Sequence, residues 1–234
     1  MENIPDDHSV ELHYPASPPV FLIGASGKGG VDAFRFLAEN IPAHFPATFF
    51  FLLHRLRKSS VYKHRLLEVL RPKSNLEIKV PETGDKVKIG AIYLPAQGYH
   101  LTIENNTIIH TEEPSDEHWR PSIDVLLKSG VREYKDRTVS VLLSGGLKDG
   151  VKGLLETTMQ GGITIAQSPE DAYDPVLPLN ALIGDHPKYV LPLVDIPALF
   201  CELAGYGCHS EQKSIAQKAA INAAMKKEEV KEQN

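Results

Sequence analysis

The feature that most constrains this chain is a set of short apolar runs without alternation: Val20–Ile23 (VFLI), Thr48–Leu53 (TFFFLL), Thr138–Leu143 (TVSVLL), Ile163–Ala166 (ITIA) and Tyr189–Val194 (YVLPLV). A strand with one wet face alternates apolar and polar side chains. A run that does not alternate is covered on both faces, and such strands joined by helices make a parallel sheet. Helical spacing fills the gaps at Gly29–Glu39, Ser60–Leu70, Ser122–Lys128 with Pro121 opening it, Val151–Gln160 and Leu177–Ile183. A further strand is expected at Val87–Leu94, and a hairpin over His100–Thr111 turning at Asn105–Asn106, since asparagine tolerates left-handed backbone. The expected fold is therefore α/β: a doubly wound, mostly parallel sheet with helices on both faces and an attached antiparallel β-hairpin. Residues 1–19 read as a polar arm, 20–207 as the domain, and 208–234 as an alanine- and lysine-rich tail, helical or disordered.

Composition narrows the function classes. With 42% hydrophobic residues in 234, the chain can bury a large core, and a net charge of -5 argues against gripping nucleic acid or an anionic membrane. No run of eighteen apolar residues occurs, so no membrane insertion is expected and the protein is read as cytoplasmic. Two cysteines, Cys201 and Cys208, are read as buried or idle thiols, and no metal-ligand spacing is present.

In a doubly wound sheet the ligand crevice lies outside the carboxyl ends of the strands. That filter selects Ser26 after the first run, His54 after the second, and Asp149 in the loop Ser144–Gly150 (SGGLKDG) after the third. A hydroxyl, an imidazole and a carboxylate are the three groups of nucleophilic acyl chemistry. The glycines around Ser26 allow a sharp strand-to-helix turn and leave backbone N–H groups at a helix start, where an oxyanion is stabilised. Each residue also has a plainer use: Ser26 and Asp149 as helix caps, His54 as a hydrogen-bonded strand end.

The same loop, Gly24–Gly30 (GASGKGG), also resembles a nicotinamide-binding turn, with Arg55 placed to meet a 2'-phosphate. No Tyr-x-x-x-Lys pair accompanies it, and a Walker loop needs Ser or Thr where Gly29 stands. An α/β-hydrolase elbow would have Gly at Lys28 and its acid ahead of its histidine.

Several stretches in order resemble the catalytic domain of CheB-type chemotaxis protein-glutamate methylesterases from about Val20 to about Ala204. They are IGAS with paired glycines at Ile23–Gly30, His54, YLPAQGYHL at Tyr93–Leu101, RPSIDVLLKS at Arg120–Ser129, LLSGGLKDGVKGL at Leu142–Leu154, GGITIAQ at Gly161–Gln167 and LPLNAL at Leu177–Leu182. The resemblance implies a serine hydrolase without metal or organic cofactor. It would remove methyl esters from glutamates on the cytoplasmic helices of chemoreceptors, with a second activity as glutamine deamidase in some members. Ser26, His54 and Asp149 fall at the family's catalytic serine, histidine and aspartate. Gly27, Lys28 and Gly146 fall in the loops expected to bind the oxyanion or substrate. Expected partners are methylated receptor helices, with a chemotaxis kinase or a separate receiver protein as further candidates. Nineteen residues ahead of the first strand cannot form a receiver domain, so a stand-alone catalytic domain is expected. The family's Ser-Thr-Gly-Gly is here Ser26-Gly27-Lys28-Gly29-Gly30, and its Gly-Met-Gly is Gly145-Gly146-Leu147. These changes keep a second reading open, a non-catalytic relative that binds proteins in chemosensory signalling.

Overall fold

The computed structural model describes residues 17–54, 65–112 and 120–207. The expected arm up to residue 16, the start of the helix expected from Ser60, and the tail 208–234 lie outside the described residues.

Seven strands form one sheet in the order β3-β4-β2-β1-β7-β8-β9: β1 Val20–Ser26, β2 Thr48–His54, β3 Glu77–Lys79, β4 Ala91–Tyr93, β7 Thr138–Leu142, β8 Ile163–Gln167 and β9 Tyr189–Leu191. Every pairing in it is parallel. The antiparallel pair β5 His100–Glu104 and β6 Thr107–Thr111 stands apart and turns at Asn105 and Asn106, with φ of 51° and 55°. Helices α1 Gly27–Asn40, α2 Arg65–Leu70, α3 Ile123–Tyr134, α4 Val151–Met159, α5 Val176–Gly184 and α6 Ile196–Leu203 complete the domain.

Side-chain alternation along the buried strands divides the interior in two. Odd-numbered Phe21, Ile23, Phe49, Phe51 and Leu53 pack with α1 and α6, where Phe21 stacks on Phe49 at 4.8 Å and meets Phe200 at 4.4 Å. Even-numbered Val20, Leu22, Phe50 and Leu52 face the other layer, with Ile123, Leu126, Leu127, Leu154 and Leu177 from α3, α4 and α5 and with the hairpin residues Leu101, Ile103 and Ile108. Continuing that count, Ser26 and His54 fall on the even face. At Gly24 a side chain would collide with Ile123, so this glycine lets the start of α3 lie directly on β1.

Several expected boundaries change for local reasons. Pro121 lies outside the helix it was expected to open: Ser122 is the N-cap, its hydroxyl accepting from Val125 N, and α3 runs on to Tyr134. The strand expected from Val87 shrinks to Ala91–Tyr93, because Gly90 turns at φ 78° and Val87 N donates to the hairpin at Asn106 O. β9 stops before Pro192, which has no N–H to offer a neighbouring strand. Cys201, expected as a buried or idle thiol, is buried but disulfide-bonded rather than a thiol. The short strand β3 and the helix α6 were not anticipated.

Candidate functional site

The strand order reverses at β1: the chain builds outward through β2 and β4, then returns to pair β7 on the other side of β1. The crevice at the carboxyl ends of these strands is where Ser26, His54 and Asp149 lie.

Ser26 closes β1 and His54 closes β2, and the two residues are register partners in the parallel ladder. Adjacent strands lie about 4.8 Å apart, so two side chains of one register pair on one face are neighbours. Although Ser26 occupies the N-cap position of α1, its side chain makes no capping bond. Its Oγ instead donates to the Gly146 carbonyl at 3.3 Å, and its backbone N–H donates to Ser144 O at 3.1 Å. Gly145 runs so close that a Cβ there would sit 2.5 Å from Ser26 Oγ, which explains the glycine. Gly27 begins α1 at φ 67°. The first N–H groups of any helix lack an intrahelical acceptor, so those of Gly27 and Lys28 open α1 beside Ser26. Lys28 is exposed, with Nζ 3.8 Å from Asp32 and 5.3 Å above the Tyr173 ring.

His54 and Asp149 are both buried, and His54 Nδ1 lies 2.8 Å from Asp149 Oδ2. An ionised carboxylate can only accept, so in this bond Nδ1 carries the proton. Asp149 does not cap α4, whose N-cap is Gly150. It accepts at the start of α3 instead: Oδ2 also takes the Ile123 N–H at 2.8 Å, and Oδ1 takes the Ser122 hydroxyl at 2.8 Å and the Asp124 N–H at 3.0 Å. Burial alone would push this carboxyl up, but the bonds from His54, Asp124 and Ile123 outweigh it and hold Asp149 below its ordinary value. Behind Ser122, its backbone N–H donates to the buried His100 Nδ1 at 3.2 Å.

A second carboxylate completes this corner. Asp124 is buried and accepts the Gly153 N–H of α4 at 2.7 Å. Burial, opposed by that N–H and reinforced by the Asp149 charge, pushes the Asp124 carboxyl up to about 6. A raised carboxyl means the folded state holds a proton that the unfolded chain has lost, so stability falls as pH rises from the unfolded value of 3.8 to about 6. Asp124→Asn keeps the acceptor for Gly153 and removes the titration. At neutral pH the variant is expected to exceed the wild type by roughly 2 kcal/mol in denaturant unfolding, with the gap closing below about pH 4. An equal gap at both ends of that range would overturn the account.

The sequence reading did not identify Ser122, Asp124 or His100 as part of this corner, although the stretch Arg120–Ser129 was singled out as a motif. Only a serine before an apolar helix marked it. Ser144, Gln167 and Asp174 were also missed. Gln167 Oε1 accepts from Ser144 N at 2.9 Å, and Asp174 N donates to Ser144 Oγ at 2.9 Å, which fixes the loop against Ser26. Among the described residues no His, Cys, Asp and Glu cluster could hold a metal, and no helix is long and apolar enough to cross a membrane.

The family model described as CheB methylesterase matches residues 21–200. A Leptospira interrogans protein is 32% identical over 183 residues, 78% of this chain and 93% of its own length. A protein-glutamate methylesterase/protein-glutamine glutaminase of Pseudomonas fluorescens is 31% identical over 182 residues, and the chain spans only 53% of that relative. The crystal structure of the Thermotoga maritima CheB methylesterase catalytic domain superposes with a TM-score of 0.74 at 29% identity, covering 80% of this chain and 100% of that domain.

Proposed function

The chain belongs to the CheB methylesterase family, and from that premise we propose that it hydrolyses γ-methyl esters of glutamate on the cytoplasmic helices of chemoreceptors, with Ser26 as nucleophile, His54 as base and Asp149 as orienting acid. The observation that carries the assignment is the buried His54 Nδ1 to Asp149 Oδ2 bond of 2.8 Å, with Ser26 the register partner of His54.

In this reading, Ser26 Oγ turns about χ1 from the Gly146 carbonyl towards His54. His54 Nε2 takes the hydroxyl proton as Oγ attacks the ester carbonyl carbon. The oxyanion forms at the start of α1, where the N–H groups of Gly27 and Lys28 and the positive end of the helix dipole favour it. Collapse expels methoxide, which leaves as methanol with the proton from His54. Water then gives a proton to His54 as its oxygen attacks the acyl-enzyme, and Ser26 is released with a free glutamate carboxylate. Asp149 stays ionised throughout, holding the imidazole tautomer and offsetting its positive charge. The same route on a glutamine side chain releases ammonia, in line with the double name of the Pseudomonas fluorescens relative. No step needs a metal or an organic cofactor. Lys28, exposed beside the nucleophile, is placed to meet acidic residues flanking the ester.

The test uses a synthetic helical peptide carrying a glutamate γ-methyl ester, with methanol as readout. A serine-directed phosphonate is expected to stop methanol release and to leave one adduct, mapped to Ser26. An adduct on another residue, or methanol release from fully labelled protein, rejects the assignment.

A further inference from the structure

The acid of the site is held by a pair of helices that cap each other. Asp149 lies just ahead of α4, yet its carboxylate receives the two N–H groups that open α3. Asp124, in the first turn of α3, in turn receives an N–H from the first turn of α4. Within this bracket the Ser122 hydroxyl, like His54, donates to Asp149, at 2.8 Å to Oδ1, the oxygen not facing His54. Ser122 is itself buried, and its position is fixed by its backbone N–H on His100 Nδ1 and by its hydroxyl accepting from Val125 N at 3.4 Å.

A carboxylate with both oxygens accepting cannot swing without losing bonds on both sides. The Ile123 N–H sets Oδ2, shared with His54, while Ser122 and the Asp124 N–H set Oδ1, so rotation of the group is stopped at both ends. The two N–H groups are fixed by the helix. The Ser122 hydroxyl is the donor that one substitution can remove.

From this geometry we infer that Ser122 is a positioning residue for the hydrolysis, its hydroxyl holding Asp149 at the rotation that aims Oδ2 at His54 Nδ1. The inference rests on the roles proposed above for His54 and Asp149. Ser122 touches no substrate and acts only through Asp149. Its hydroxyl also spreads the carboxylate charge, which lowers the affinity of Asp149 for the proton it shares with His54. Among the described residues, the titratable groups about this point are Asp149, His54, His100 and Asp124, with the Lys128 and Lys152 charges acting on Asp124.

The test compares Ser122→Ala, Ser122→Gly and Ser122→Thr in the full chain on the γ-methyl-ester peptide. Glycine keeps most N-cap preference and lacks the hydroxyl, so it separates loss of the cap from loss of the donor. Alanine and glycine are expected to lower kcat about tenfold with KM within about twofold, as for other groups that orient a catalytic partner. The acid limb of the kcat/KM profile should move to higher pH in both, because the relieved carboxylate holds the imidazolium proton more tightly. Threonine, which retains the hydroxyl, should restore most of kcat and the original limb. A merely structural serine would change the folded fraction and leave the limb where it was. Wild-type kcat in the glycine variant, or reduced kcat with an unmoved limb in the alanine and glycine variants, overturns the inference. Asp149→Asn separates the two levels: if it remains active, the triad reading fails, whereas an inactive Asp149→Asn beside a wild-type-like Ser122→Gly defeats only the role of Ser122.

Discussion

Ser26→Ala is expected to reduce methanol release from a γ-methyl-glutamate peptide by about 10^4- to 10^6-fold, the range seen when the nucleophile of a serine hydrolase is removed. The fold should hardly notice. Ser26 makes no side-chain capping bond to α1, and its Oγ donates to the Gly146 carbonyl at 3.3 Å, a long contact. Its loss should cost at most about 1 kcal/mol. The backbone bond from Ser26 N to Ser144 O and the ladder to β2 are untouched by the change. Circular dichroism and a melting curve close to wild type, with the activity gone, are the joint expectation. Turnover within about tenfold of wild type would show that another residue attacks the ester.

Asp149→Asn should be nearly as damaging to turnover, by about 10^4-fold, and unlike the serine variant it should also unsettle the protein. Four donors converge on the carboxylate: His54 Nδ1, Ile123 N, Asp124 N and Ser122 Oγ. An amide offers only one oxygen. Whichever way it is turned, its NH2 faces two donors, either His54 with Ile123 or Ser122 with Asp124, in a site that is 2% exposed. Burying donors against donors costs about 1–3 kcal/mol for each unsatisfied group, so a fall in stability of a few kcal/mol should accompany the kinetic loss. The pH dependence changes as well. Asp149 is held below its ordinary value in the native state, so it stabilises the fold above its unfolded pKa, and that contribution is lost as the pH falls through the native one. The asparagine variant should lose this part of the acid sensitivity. Retained activity with unchanged stability would contradict the description of Asp149 as an acceptor at the head of α3.

The opposite behaviour expected of Asp124 has the same physical source. Asp149 receives four hydrogen bonds, whereas Asp124 accepts from Gly153 N, so burial, reinforced by the ionised Asp149 beside it, makes Asp124 harder to charge. Two acids lodged in one corner are driven apart by the number of donors each receives.

β1, β2, β7 and β8 were legible because a strand covered on both faces must be apolar throughout. The hairpin turn at Asn105 and Asn106 was legible because both residues adopt positive φ, as a two-residue turn of this kind requires. β3, three residues long at the sheet edge, has too few side chains to show a period. The extension of α3 past Lys128 was hidden by Gly130, which breaks the helical pattern yet sits where any side chain would collide with Leu22.

For the site, strand ends alone selected positions 26, 54 and 149, since strand ends are visible in a sequence and the crevice of a doubly wound sheet lies beside them. The partners of Asp149 other than His54 were not visible. They depend on α3, reached only after the β5–β6 hairpin, arriving with its N-terminus against the loop after β7. Local chemistry thus determined the elements and their order, because periodicity and turn preferences act over a few residues. The meeting of Ser122, Asp124 and Asp149 was decided by packing, because helix contacts such as Ile123 over Gly24 join residues 99 positions apart, and no short-range pattern records that distance.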